Sequence, residues 1–324
     1  MDVFFANAIS FGVIFLFGCV GEILTEKSGH LNLGIPGIMC MGAAGGCFGV
    51  KLVAMGESPN GALVVIMGIL FAMIFAGALG AVYGFLTVSL RSNQNVTGLA
   101  CTIFGVGFTS FFLNNVVLTE GVSTALSYAG LNFFNAHIPG TENLGWFGTI
   151  FLRQGVLAYL AIVIAVIAAV VLRYTKAGLN LRAVGENPAT ADAVGINVTG
   201  YKYTFIVAGA AIAGLGGLCY VMGYMNGIVG STVDQTIQGI GWLSIALVIF
   251  TLWKPALAIV GSIVFGILYI LSSRITGISF EQIQLLNLIP YIVTILVLIV
   301  TSILGRREMQ PPASLGLSYF REDR

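Results

Sequence analysis

The sequence predicts an all-α, polytopic transmembrane helical bundle of about eight to ten spans, with room for broken or re-entrant helices and one short helix outside the membrane. Three observations carry this. The 324 residues are 57% hydrophobic and only 8% charged, where soluble domains carry about 25% charge. The mean hydropathy is +0.98. Apolar runs recur along the chain at roughly the 20 residues a helix needs to cross about 30 Å of hydrocarbon.

Taken in order, the first run is 3–24, and MDVFFANAISF lacks the basic stretch of a cleavable leader, so it reads as a retained span. The next, 34–56, is rich in glycine and holds Pro36 and Lys51, which predicts an irregular backbone. Runs at 62–90 and 98–119 follow, then a polar segment at 120–152, then 153–174 and 203–225. The pair 238–253 and 256–271, divided by Lys254-Pro255, is short for two crossings and admits a broken or re-entrant hairpin. The last run is 285–304, so residues 1–304 form the membrane domain and 305–324 a tail.

Basic residues choose the orientation. With the N-terminus outside and the C-terminus inside, Lys27, Arg91, Arg173, Lys176, Arg182, Lys202, Lys254, Arg306, Arg307, Arg321 and Arg324 are cytoplasmic. Only Lys51, Arg153 and Arg274 lie outside. That is a strong positive-inside bias. The net charge of +1 offers nothing to nucleic acid. Cys19, Cys40, Cys47, Cys101 and Cys219 all fall in apolar runs and read as small packing groups. Gly42-xxx-Gly46, Gly80-xxx-Gly84 and AGAAIAGLGG (208–217) place small residues one turn apart. Such faces suit a compact bundle or a subunit interface.

One stretch interrupts this pattern. GLNLRAVGENPATADAVGINVTGYK (178–202) is largely soluble yet sits between VLAYLAIVIAVIAAVVL and FIVAGAAIAGLGGLCYVMGYM. Asn187 is a good N-cap, Pro188 suits the first helical position, and Gly195 suits the residue after the last turn. The spacing predicts a helix of about two turns over 188–194, too short to be stable alone in water. Its alanine face would let a partner backbone come close. The plain alternative is a surface loop with one helical turn.

GLNLRAVGENPATADAVGINV resembles the coupling loop "GxNLRAVGENPxAAxxxGI" of ABC-importer permeases, in the branch that handles sugars, branched-chain amino acids and nucleosides. GEILTEKSGHLNLGIPGIM (21–39) and SNQNVTGLACTIFGVGFTSF (92–111) are similar to signatures of the nucleoside subgroup. So are GIGWLSIALVIFTLWKPALAIVGSIVFG (239–266), PYIVTILVLIV (290–300) and PASLGLSYFRED (312–323). Residues 112–152 match no signature, and position 36 is Pro where an acidic or polar residue is expected.

The resemblance implies a multi-pass permease of the bacterial cell membrane, embedded in lipid. It implies a separate ABC ATPase that binds the ATP and magnesium, a second permease subunit in a homo- or heterodimer, and an extracytoplasmic substrate-binding protein. This chain would bind no cofactor or metal. The 175–202 loop would be the coupling element, with Arg182, Glu186, Asn187, Pro188, Ala191, Asp192 and Gly195 meeting the ATPase. The sequence agrees in lacking G-x-x-x-x-G-K-[ST].

Polar residues near spans are the candidates for a solute path. Asn32 sits in a glycine- and proline-rich turn, whereas Glu26 and Lys27 read as solvated there. Asn93, Gln94, Asn95 and Thr97 lie at the mouth of a span, and Asn114 with Asn115 toward the outer end of theirs. Uncharged donors and acceptors suit a small polar solute such as a nucleoside, and interhelical hydrogen bonding is the plain alternative. With His30 and His137 as the only histidines and neither H-E-x-x-H nor G-x-S-x-G present, no enzyme constellation is in view. A sugar or branched-chain amino acid permease is the nearest competing reading. An ion-coupled secondary transporter is poorer, because mid-span ionisable residues are nearly absent.

Overall fold

A computed structural model of the chain describes residues 2–56, 58–137, 145–271, 279–304 and 310–320. Every regular element among them is a helix. They are α1 (Asp2–Glu26), α2 (Ile35–Ala54), α3 (Gly61–Gly84, continued by a π-turn to Ser89), α4 (Gln94–Phe112, continued likewise to Val117) and α5 (Val122–Ala129). The one-turn α6 (Gly145–Phe147), α7 (Val156–Tyr174), α8 (Lys176–Glu186) and α9 (Pro188–Ala193) follow. Then come α10 (Val198–Leu218, continued to Tyr224), α11 (Val233–Phe250), α12 (Pro255–Leu271), α13 (Phe280–Asn287) and α14 (Ile289–Leu304).

Eight helices among the described residues are long and apolar enough to cross a membrane, and α12, at 17 residues, falls just short of them. These correspond to the nine apolar runs. The 238–271 pair does not form a closed hairpin. A turn at 251–254 with left-handed Leu252 (φ 54°) and Trp253 (φ 55°) separates α11 from α12. Helix α12 then packs chiefly on α1.

At the centre stand α1, α2 and α10, whose most apolar stretches are 61%, 78% and 78% buried, against 12% for the last span, 281–300. Helix α2 corrects the expected irregularity, being a continuous helix with Pro36 in its first turn. Its glycines are contact points instead. A methyl on Gly42 would strike the backbone of Gly214 in α10, and one on Gly37 the backbone of α4 at Cys101 and Thr102. Lipid is as apolar as a leucine side chain, so these helices associate by close fit. The small-residue faces are thereby used inside this chain, since Gly46 meets Leu218 and Gly80 meets Ala210. Aromatic rings also pack between helices, as where buried Phe11 of α1 stacks on Tyr269 of α12 at 4.3 Å.

The helices alternate in direction and gather Lys27, Arg91, Arg173, Lys176, Arg182, Lys202 and Lys254 at one end, here the basic end. Lys51 and Arg153 lie at the far end. Arg274, Arg306, Arg307, Arg321 and Arg324 lie outside the described residues. At the far end the 120–152 segment, whose residues 138–144 are likewise outside them, packs through buried Val122, Leu126, Ala129 and Phe134. There Asn135 Nδ2 donates to Gly223 O at 2.8 Å and to Asn226 Oδ1 at 2.7 Å.

Candidate functional site

The polar interruption forms two helices set at an angle by one residue. Thr175 begins α8, its hydroxyl accepting from Gly178 N at 3.2 Å. Asn187, at φ −150° and ψ 92°, ends α8 and caps α9, its Oδ1 accepting from Thr190 N at 3.0 Å. Pro188 opens α9, which ends at Ala193, one residue before the position read from sequence. Gly195 adopts φ +85°, a left-handed conformation that favours glycine. Asn197 then caps α10 through Gly200 N at 2.9 Å.

Helix α8 is absent from the sequence reading. Its signal was Thr175 as a cap, with Leu181 and Val184 at helical spacing. Gly178 and Gly185 both lie inside it. In the fold both are approach points, Gly178 to the end of α7 and Gly185 to Lys27 O.

A satellite core of Val184, Ala191 and Val198, flanked by Ile196, Tyr201 and Tyr319, holds α8 and α9 against the bundle. This corrects the expectation for the alanine face. Ala191 is 2% exposed and packs on its own chain, and Asp192 Oδ2 accepts from Tyr319 Oη at 3.0 Å. The outward ridge consists of Glu186, Asn187, Thr190, Ala193 and Val194, the last 72% exposed. Arg182 and Gly195 are exposed as well, and Pro188 is half-buried.

Residues 310–320 run as a strap across the same end. Ser314 donates from N and from Oγ to Gly185 O, at 3.0 and 2.5 Å. Gly316 N donates to Gly29 O at 3.2 Å, and Leu317 O accepts from Gln94 Nε2 at 3.4 Å. The Arg91 guanidinium lies 4.7 Å from the Phe320 ring. The strap therefore ties α8 and α9 to the α1–α2 turn and to the start of α4. Sequence reasoning missed it, because nothing in PASLGLSYFRED has a period.

The structure gathers all but one of the polar path candidates at the basic end. Asn32, fully buried, takes Gly34 N on its Oδ1 at 2.9 Å, and its own N donates to Glu22 Oε1 at 3.1 Å. Gln94 Oε1 accepts from Leu31 N at 2.8 Å. Asn93 caps α4 through Val96 N, and Thr97 shares a hydrogen bond with Ser92 at 2.8 Å. Asn95 is exposed at the same end, while Asn114 lies near the far end of α4, its Nδ2 donating to Ser110 O. Of the five at the basic end, Asn32 and Gln94 tie helix ends together, while Asn93 and Thr97 act within the start of α4. Glu26 is also corrected, since it is 3% exposed and accepts from Trp253 Nε1. Burial pushes the Lys27 ammonium below its usual pKa, partly opposed by Glu186. Burial, with Lys202 nearby, pushes His30 down to about 3 and keeps it uncharged.

The far end supplies a polar hollow that sequence reasoning missed. A cavity of about 640 Å³ is lined by Asn7, Ser10, Asn135, Gln154, Tyr224 and Asn226 among others. Ser10 Oγ donates to Gln154 Oε1 at 2.7 Å. Its amides come from segments some 220 residues apart, so no local motif announces it.

Comparison with known proteins completes the picture. The chain is 31% identical to a nucleoside ABC transporter permease protein of Lactococcus lactis, over 99% of this chain and 98% of that one. It is 30% identical to a proposed glucose ABC transporter permease of Haloferax volcanii, over 95% and 94%. It is 29% identical to a guanosine ABC transporter permease of Bacillus subtilis, over 94% and 92%. Residues 4–300 match the family described as the permease component of the branched-chain amino acid transport system. The nine apolar helices, the two-helix interruption and this near full-length match together place the chain in that permease family.

Proposed function

We propose that this chain is the membrane-spanning permease subunit of an ATP-driven importer and that its solute is a nucleoside. The observation that carries this is the end-to-end likeness to a nucleoside and a guanosine permease. The basic end faces the cytoplasm, by the positive-inside rule. ATP and magnesium belong to a separate ATPase, which the exposed ridge of α9 meets through Glu186, Asn187, Thr190 and Val194. Arg182 and Gly195 border that contact, while Ala191 and Asp192 act from behind it. Because Asp192 is tied to Tyr319, and α10 starts four residues after Val194, a push on the ridge reaches both the strap and a central helix.

A second permease subunit completes the path, and an extracytoplasmic binding protein delivers solute to the far end. The cavity there suits an uncharged polar solute. Asn135, Gln154 and Asn226 offer the donors and acceptors that a base and a ribose require. A sugar is the second reading, favoured by the 30% likeness to the Haloferax volcanii relative.

The test is uptake into vesicles holding the chain with its ATPase, partner permease and binding protein. Labelled purine and pyrimidine nucleosides are offered beside ribose, glucose and leucine. Nucleoside uptake that disappears with a hydrolysis-dead ATPase is the expected result. Uptake that survives the dead ATPase overturns the ATP-driven reading, and ATP-dependent uptake of sugar alone overturns the nucleoside. Glu186→Arg combined with Val194→Asp should abolish uptake while the subunit still inserts.

A further inference from the structure

A second, smaller cavity of about 220 Å³ lies at the basic end, between the end of α3, α9, the start of α10 and the strap. We propose that it binds a phosphate group, held by Arg91, Lys202 and the first turn of α10. This goes beyond the transport reading and does not depend on which solute is carried.

Four observations support it. Lys202 is 3% exposed, yet among the described residues its ammonium has only the Tyr319 ring, 5.9 Å away, and no carboxylate pairs with it. A buried cation without a counter-charge is costly. His30 is 1% exposed and lines the same cavity, and its Nδ1 has no hydrogen-bond partner. Such an orphaned atom carries a desolvation penalty that a ligand removes. Thr199 lies in the first turn of the 21-residue α10 and lines the cavity, where the peptide dipole favours an anion. Arg91 reaches the cavity from a left-handed backbone at φ 57°, a conformation that costs free energy in a non-glycine residue.

Charge and size narrow the occupant. Among the described residues lining it, two basic side chains, Arg91 and Lys202, face one carboxylate, that of Asp192, which also accepts the Tyr319 hydroxyl. The lining is therefore net positive. At about 220 Å³ it is smaller than the roughly 300 Å³ at which pockets for drug-sized ligands begin. It takes a phosphate with a small attached group, either free phosphate or the headgroup of an anionic lipid. Such an anion would join α3, α9, α10 and the strap at one point and so set how firmly the ridge is held.

His30 provides the readout. Its ring lines the cavity with an unpartnered Nδ1, so an anion bound beside Lys202 changes the field at the ring and moves its signal. The full chain is placed in nanodiscs of phosphatidylcholine and titrated with inorganic phosphate, while the ring nitrogens of His30 and His137 are followed by NMR. A saturable shift of His30 and none of His137 is expected. Arg91→Gln, an exposed position, should weaken it roughly tenfold, about 1.4 kcal/mol, and Lys202→Gln at least as much. If nanodiscs containing phosphatidylglycerol produce the shift without added phosphate, the site is met by a headgroup. If only added phosphate does so, the ligand is the free ion. A His30 signal that moves with neither, or a shift unchanged in both variants, overturns the proposal.

Discussion

The crossing of α2 on α10 and the seat of α9 on the strap are built from opposite materials. At the first, Gly42 and Gly214 bring two backbones together so closely that no methyl fits. At the second, a few small apolar side chains and a few hydrogen bonds hold the parts, with Tyr319 on Asp192 and Ser314 on Gly185. Helices in lipid gain nothing from leaving it and must win by fit. The water-facing end gains from burying Val184, Ala191 and Val198, and then from hydrogen bonds of about 1 kcal/mol each. The first contact is all or nothing, whereas the second is divisible into small steps. A part that transmits motion needs the second kind.

Four substitutions sharpen or break that contrast. Gly42→Ala should have the largest effect, at or above the ~3 kcal/mol upper end of overpacking costs, because the obstructing atoms are backbone. Thermal unfolding in detergent measures it, and a melting temperature equal to the parent's would refute the all-or-nothing account of the core. Trp253→Phe follows, at about 2 kcal/mol, since it leaves the buried Glu26 carboxylate without its indole donor. That loss should appear in the same unfolding curve.

Asn187→Ala removes the cap of α9, worth about 1 kcal/mol. Faster amide exchange confined to 188–195 is the expected sign, and exchange that rises equally in α2 would mean the two regions are not separable. Tyr319→Phe should be mildest, at about 0.5 kcal/mol, because both it and Asp192 are half-buried. It should leave global unfolding unchanged while lowering uptake per ATP hydrolysed. An unchanged ratio would remove the strap from the coupling path.

The membrane helices were legible because each carries its own signal, an apolar run long enough to span. The short helix α9 was legible for another local reason, the order Asn187, Pro188 and Gly195. Where a signal is spread over the fold, reading failed in identifiable ways. Glycines in α2 read as breakers, although they mark where another backbone passes. Asn32 and Gln94 each hold a main-chain group, Gly34 N and Leu31 N, a pairing that no local pattern announces.

From the sequence alone come the apolar helices in their order along the chain, the gathering of most described basic residues at one end and the capped helix after Asn187. All of these depend on residues within a turn or a span of one another. Only the tertiary structure decided that Ala191 faces its own chain, that 310–320 bind back over the helix ends, and that Arg91, Lys202 and His30 share one cavity. The last two of these join residues about 60 to 290 positions apart. Such pairings follow from which helices pack together, a property of the whole bundle that no local pattern of side chains records.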